Sequence, residues 1–413
     1  MLIYITRYMT GAHGTAKSAK DLLFALLASG QPVQVICPER CSTPPSAGGF
    51  PLGTPQWLVS PCECMPLPRR PDAQWPRRML RWAKRRLQWA RFRRLLAVRE
   101  QDLVVVNGWA SHDFSLPIRA TTPARQILVV RESPRRFDGG DHRWTREQLM
   151  SGIQSYWGFI FVSDQCRKAW MSIPSLSPKP AFYVPNCCQE EEAALVLQTP
   201  RTDVRRRLGL PDDRFVCVCV GTFEHCKGQD ILLDQMPYLT KALPNALILF
   251  VGDSASEYGA RTRVRIETSP FGRWMAVVPR QESALELIYA ADALILPSRT
   301  EAMPRVVLEA MVLDTPVVAA NVDGVPELIQ HGRSGLLFAP ERPRDLVEGL
   351  RLLYGDRTVA SRMAQCARDQ YWAHFARVHQ ISRYTQIIAQ ILNNHTGSFP
   401  TRAAAGATGP QRR

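Results

Sequence analysis

The sequence predicts an α/β protein made of two doubly wound domains in tandem. Short β-rich apolar runs alternate with helix-period segments through the first half. The same alternation begins afresh after Asn186. A chain of 413 residues also has the length of two or three domains rather than one.

In the first half, strands are expected at Leu2–Thr6, Val33–Cys37, Leu103–Asn107, Ile127–Val130, Phe159–Val162 and Phe182–Val184. Each is a short run rich in β-branched or aromatic residues. Helical patterns fall between them, near Lys17–Ala28, Trp75–Ala97 and Gln165–Met171. The stretch from Pro38 to Pro76 is rich in Pro, Gly and Ser and reads as a long surface loop. The chain is expected to cross to the second domain near Pro185–Thr199. There, strands are expected at Phe215–Val220, Ala246–Val251, Met275–Val278, Ala293–Leu296, Pro316–Ala319 and Gly335–Phe338. Helices are expected near Ile231–Met236, Ser283–Ala290, Pro304–Val312, Arg344–Leu353 and Thr358–Ala373. The expected organisation is residues 1–185, residues 186–372, a last helical segment over 373–395, and a disordered tail over 396–413.

Composition narrows the class. A hydrophobic content of 45% allows full cores. No run approaches the ~18 consecutive apolar residues of a membrane span, and the first residues lack the charged, apolar and small-residue segments of a secretory signal. The eleven cysteines include no C-x-x-C pair, and the close pairs Cys62/Cys64, Cys187/Cys188 and Cys217/Cys219 do not suit a zinc framework. They read as reduced thiols in a cytoplasmic protein. The net charge of +15 is concentrated at one end: residues 1–185 hold 26 Lys and Arg against 12 Asp and Glu. Twelve of those cations lie between Arg69 and Arg99, with one acid, Asp72.

Two stretches invite chemistry. GAHGTAKS (Gly11 to Ser18) follows a strand and opens a helix. It matches the phosphate-loop pattern G-x-x-x-x-G-K-[ST] except that Ala16 stands at the second glycine, where a Cβ obstructs close approach to phosphate. A triphosphate loop, another glycine loop, and a plain strand-turn-helix all remain open from these eight residues. The second stretch, ADALILPSRTEAMPRVVLEAMVLDTPVVAANVDGVPELIQHGRSGLLF, runs from Ala291 to Phe338. A buried strand ends in a turn, Glu301 follows, and Glu309 sits on an otherwise apolar helix. Ligands in open α/β sheets bind at such strand ends, and a buried carboxylate needs a partner. A capping glutamate on a half-exposed helix is the plain alternative.

The stretch resembles the glycosyltransferases of family 4, which have the GT-B fold: two Rossmann-like domains facing a central cleft. The resemblance rests on E-x7-E (Glu301, Glu309) after the Pro-Ser turn, then PVVAANVDGVPELI and GLLF. Upstream it rests on VGTFEHCKGQDILL (Val220 to Leu233), LILFVGD (Leu247 to Asp253) and VPN (Val184 to Asn186). It covers about residues 1 to 395, most strongly 180–340. It implies an acceptor-binding first domain and a donor-binding second one, with the last helix crossing back to the first. It also implies a nucleotide-sugar donor and a retaining reaction, with no cofactor and no essential metal. D-x-D, the metal signature of the other large transferase fold, is absent from the sequence. Glu309 would hold the ribose hydroxyls, Glu301 the transferred sugar, and Lys227 the diphosphate. Gly221, Thr222, Ala302, Met303, Arg305 and Val306 would surround the donor. The Gly11–Gly14 loop would then be the first glycine loop of the acceptor domain, with Gly14, Lys17, Arg131 and Glu132 facing the cleft.

Three positions depart from the family pattern. Thr222 stands where an arginine often follows the Val-Gly, VVRESPRRF (Val129 to Phe137) lacks the histidine many members carry, and Ala302 replaces a glycine. Arg305 or Arg131 would be the replacement for the arginine's charge. The reading is a hexosyltransferase using a UDP- or GDP-sugar on a glycan or lipid-linked acceptor, in surface polysaccharide or glycolipid assembly. The alternatives are a nucleotide-sugar epimerase or other GT-B enzyme, and a non-catalytic protein that binds the donor. Finally, Trp75, Trp82 and Trp89 recur every seven residues among arginines such as Arg85, which keeps them within roughly 40° of one another on a helix. That pattern suits an anionic membrane surface, here the inner face of the plasma membrane. Packing of the tryptophans on the domain core is the alternative. No nucleic-acid-binding motif accompanies the basic residues.

Overall fold

A computed structural model of the chain describes residues 1–7, 14–38, 56–60, 98–119, 122–137, 146–254, 256–281 and 283–393, together with Ala83, Leu87 and Ala90. Its strands form two sheets. The first contains β1 (Leu2–Ile5), β2 (Val33–Pro38), β3 (Gln56–Ser60), β4 (Leu103–Asn107), β5 (Arg125–Val130), β6 (Gly158–Phe161) and β7 (Ala181–Tyr183). The second contains β8 (Phe215–Val220), β9 (Ala246–Val251), β10 (Met275–Val278), β11 (Ala293–Leu296), β12 (Val317–Ala320) and β13 (Leu336–Phe338). The spatial orders are β3-β2-β1-β4-β5-β6-β7 and β10-β9-β8-β11-β12-β13, and the strands pair in parallel.

Parallel strands covered on both faces must be apolar throughout. β1 and β4 are buried at every residue, and β8, FVCVCV, is buried up to its last residue. Cys217 and Cys219 therefore act as small apolar fillers, and burial pushes the Cys219 thiol up to about 12. The eight described cysteines carry no disulfide.

Each sheet reverses its winding once, between β1 and β4 and between β8 and β11. At those switch points adjacent loops leave in opposite directions and open a crevice at the carboxyl ends of the strands. The two crevices face one another. The last helix, Arg377–Asn393, returns to the first sheet's layer and packs along the helix Gly14–Ala28. Arg125 Nη1 donates to the Ile391 carbonyl at 3.1 Å, and Gln380 Nε2 to the Pro185 carbonyl at 2.9 Å. No described helix is long and apolar enough to cross a membrane.

Some expectations need correction. The stretch read as one long loop, Pro38 to Pro76, contains β3, which pairs in register with β2 from Gln34↔Gln56 to Pro38↔Ser60. An edge strand needs only one neighbour, and the Pro and Gly flanking this short one masked it. The crossing near Pro185–Thr199 holds a helix, Glu190–Leu197. The helix Glu257–Glu267 was missed because three of its residues, Gly259, Thr262 and Ile266, are buried, which leaves no apolar period to read. Its capping signal was present: Ser256 Oγ accepts from the Gly259 N–H at 3.1 Å.

Candidate functional site

A cleft of roughly 430 Å³ lies between the two switch points. The second domain builds one wall from the turns after β8 and β11. After Val220 the chain passes Gly221 and Thr222, makes a short turn at His225–Lys227, and enters the helix Gln229–Ala242 through Gly228. Gly228 has φ 67°, and a Cβ there would lie 2.0 Å from the Pro297 carbonyl oxygen. The turn is therefore pressed onto the end of β11, which brings Lys227 to Glu301: Nζ to Oε1 is 2.7 Å.

Glu301 is fixed from several sides. Ser298 Oγ donates to its Oε1 at 2.9 Å. Its own N–H donates to Asp323 Oδ2 at 3.0 Å, as does Thr300 Oγ1 at 2.6 Å. Asp323 adopts φ 42°, a left-handed conformation that few non-glycine residues hold without such bonds. Arg299 makes two 2.8 Å bonds to Asp230 at the start of the helix Gln229–Ala242. Burial works against the Lys227 ammonium, but the Glu301 carboxylate and the Cys226 sulfur together outweigh it and hold the lysine above its ordinary range. Glu309 lies buried on the helix Arg305–Val312, whose first residues face the cleft.

The first domain supplies the opposite wall. Lys17 Nζ lies 3.8 Å from Glu309 Oε1. Arg305 crosses to the same helix, its Nη1 2.6 Å from Asp21 Oδ2, with both side chains under a tenth exposed. Arg377 Nη2 approaches the other Asp21 oxygen at 3.8 Å. Arg131, just past β5, donates to Asn107 Oδ1 at 2.7 Å, to Asn186 Oδ1 at 2.9 Å and to the Ser18 carbonyl at 3.3 Å. Asn186 in turn donates to the Met303 carbonyl at 3.0 Å. Arg136 reaches Glu224 Oε2 at 2.9 Å and touches the Cys226 sulfur. Outside the cleft, Glu327 of the second domain caps a helix of the first, accepting from Ser163 Oγ at 2.8 Å, Asp164 N at 3.0 Å and Gln165 N at 2.7 Å.

Lys17, Arg131, Gly221, Thr222, Lys227, Glu301, Met303, Arg305, Val306 and Glu309 thus line one cleft. Two expected members do not. Glu132 turns an oxygen back to the Arg131 N–H at 3.1 Å, and burial pushes its carboxyl upward. Ala302 is packed beneath the turn and does not line the cleft. Gly14 begins its helix, and most of the glycine loop before it lies outside the described residues, as do Trp75, Trp82, Arg85 and Trp89. Sequence reasoning missed Arg136, Glu224, Asn186 and Arg280 as lining residues. Nothing local marks them, since surface arginines and glutamates are common; the strand ends they follow were the available signal. Among the described residues no cluster of His, Cys, Asp and Glu could hold a metal ion.

The turns can bind anions. Lys227, Arg136 and the starts of two helices present positive charge to one space, while Glu301 and Glu309 offer acceptors for hydroxyl groups. The two facing parallel domains define a GT-B protein. Residues 200–370 match the family model described as glycosyl transferases group 1. A D-inositol 3-phosphate glycosyltransferase of Nocardioides sp. is 31% identical over 197 residues, which is 43% of this chain and 43% of that protein. The chain thus matches less than half the length of that curated relative. The GT-B fold is shared with sucrose-phosphate synthase from Thermosynechococcus elongatus, with a TM-score of 0.75 at 20% identity, covering 95% of this chain and 99% of that one. It is shared also with Anabaena HepE in complex with UDP-glucose, with a TM-score of 0.69 at 16% identity, covering 94% and 99%.

Proposed function

We propose that the chain is a retaining glycosyltransferase that moves a sugar from a UDP- or GDP-sugar to a glycan or lipid-linked acceptor. The observation that carries this reading is the Lys227–Glu301 pair at the β8/β11 switch point, with Glu309 buried in the same cleft. When the bond from the anomeric carbon to the diphosphate breaks, its electron pair leaves with the diphosphate oxygen. Negative charge grows there, and a fixed ammonium with helix-start N–H groups stabilises it without reorganising. Glu301, held by Ser298 and Lys227, accepts hydroxyls of the transferred sugar, and Glu309 accepts those of the ribose. The name of the Nocardioides relative and the UDP-glucose bound by the Anabaena protein support this assignment.

The test is a thermal-shift panel of UDP, GDP, ADP and ATP, with and without magnesium, on the unmodified protein and Glu309→Ala. A ligand at 100 times its Kd should stabilise by about 2.7 kcal/mol. Stabilisation by UDP or GDP without magnesium, weakened in Glu309→Ala, supports the reading and selects the base. Stabilisation by ATP only with magnesium would sink it in favour of a triphosphate loop at GAHGTAKS. Nucleotide binding without sugar transfer or donor hydrolysis would favour a non-catalytic binding protein, and turnover without an acceptor an epimerase.

The acceptor belongs to surface polysaccharide or glycolipid assembly on this reading, reached from the cytoplasmic face of the membrane through the basic tryptophan stretch. Vesicles with and without anionic lipid test that contact. Preferential binding to the anionic ones supports it, and equal binding or none removes it.

A further inference from the structure

The loop between Gly221 and Lys227 lacks a cation of its own next to Gly221, since Thr222 stands there. Neither replacement named from the sequence fills the gap. Arg131 is committed to Asn107 and the Ser18 carbonyl in its own wall and to Asn186 at the crossing between the domains. Arg305 is turned to Asp21 and Ser18, toward the Glu309 side of the cleft. Arg136 is placed differently. It stands on the short turn Pro134–Phe137 just past β5 of the first domain, crosses the cleft, and touches two residues of the loop itself, Glu224 and Cys226.

We propose that Arg136 supplies from the opposite domain the cation that the Thr222 loop does not, and that it binds the donor's diphosphate together with Lys227. This rests on the glycosyltransferase reading. Two cations, Arg136 and Lys227, converge on one short loop, each held by a carboxylate, Glu224 and Glu301. They lie near enough that the charge of Arg136 acts against that of Lys227. A dianion between them would relieve that opposition. Guanidinium geometry suits the task, because its fork matches two phosphate oxygens at once. The consequence is a functional one: a phosphate site shared by two domains binds diphosphate well only when the cleft is closed around it.

Calorimetric titration with UDP, GDP and the nucleosides uridine and guanosine tests this on the unmodified protein, Arg136→Gln and Arg136→Gln/Thr222→Arg. Arg136→Gln should weaken the preferred diphosphate roughly tenfold or more, the scale of a lost charge-assisted hydrogen bond, and leave the matching nucleoside unchanged. Adding Thr222→Arg should restore much of the loss. Unchanged diphosphate affinity in Arg136→Gln overturns the inference. So does an equal loss of nucleoside and diphosphate, which would mean that Arg136 merely holds the walls together. So does failure of Thr222→Arg to restore affinity while nucleoside still binds. Absence of any UDP or GDP binding to the unmodified protein is a separate result, and it removes the glycosyltransferase reading itself.

Discussion

The two walls of the cleft share a scaffold and differ in chemistry. Each is the carboxyl edge of a parallel sheet at its switch point. The second-domain wall brings four carboxylates, Glu224, Asp253, Glu301 and Glu309, with Lys227, Arg280 and Arg305 among them. The first-domain wall brings Lys17, Arg131 and Arg136 and, among the described lining residues, no carboxylate. Lys17 therefore faces Glu309, and Arg136 faces Glu224. Two of the cleft's carboxylates are thus paired across it, and an anionic ligand must replace or join these pairs. Deeper in, the same complementarity is structural: Asp21 is gripped by Arg305 of the second domain and Arg377 of the last helix.

Breaking that deep pair should have the largest effect. Asp21→Asn leaves the buried Arg305 uncompensated, and removal of one partner from such a pair costs about 3–5 kcal/mol. Chemical denaturation would measure it, and an unchanged midpoint would show that the walls do not depend on this contact. Next comes Lys227→Ala, expected to lower sugar transfer by about 10²–10³-fold while the fold is retained. A loss confined to KM would instead make Lys227 a binding group for ground and transition state alike.

Glu327→Ala probes the contact outside the cleft. It removes a carboxylate that serves three donors of the first domain, worth about 2 kcal/mol. It should loosen the pair of domains, and so weaken the diphosphate held between them, while leaving nucleoside affinity nearly as it was; an unchanged denaturation midpoint would show that this contact does not hold the domains.

The effect that vanishes at neutral pH is a pH dependence confined to the first domain. His112 is buried, stacks on Trp109 and bonds Tyr156 at 2.8 Å. Burial, with Arg119 nearby, pushes its pKa down to about 3. The unfolded chain takes up a proton near the ordinary value of 6.5, whereas the folded one does not. Stability is therefore complete above about pH 6.5 and falls as the pH drops toward 3, by up to about 1.4 kcal/mol per pH unit for one proton. His112→Phe should flatten that slope, and an unchanged slope would place the proton elsewhere.

The legibility of the two walls differed for a physical reason. β8, β9 and β11 were readable to the residue because doubly buried strands must be apolar runs, and the half-buried edge strand β10, MAVV, is apolar throughout as well. Glu301 stood out because it follows the turn at a strand end, where ligands bind, and Glu309 because a carboxylate on an apolar helix contradicts its surroundings. β3 was not readable because Pro and Gly flank a short run, and the helix Glu257–Glu267 was not because the residues it buries, Gly259, Thr262 and Ile266, include only one large apolar side chain.

By itself, the sequence determined the two α/β halves, their parallel sheets and the pair of glutamates at a strand end, all consequences of local burial and spacing. The tertiary structure alone decided which charges meet: Lys17 with Glu309, Asp21 with Arg305, Arg136 with the loop that carries Thr222. Those partners lie up to 292 positions apart in the chain, where no periodicity or propensity reaches. Only the packing of one sheet edge against the other brings them within the few ångströms over which charges select each other.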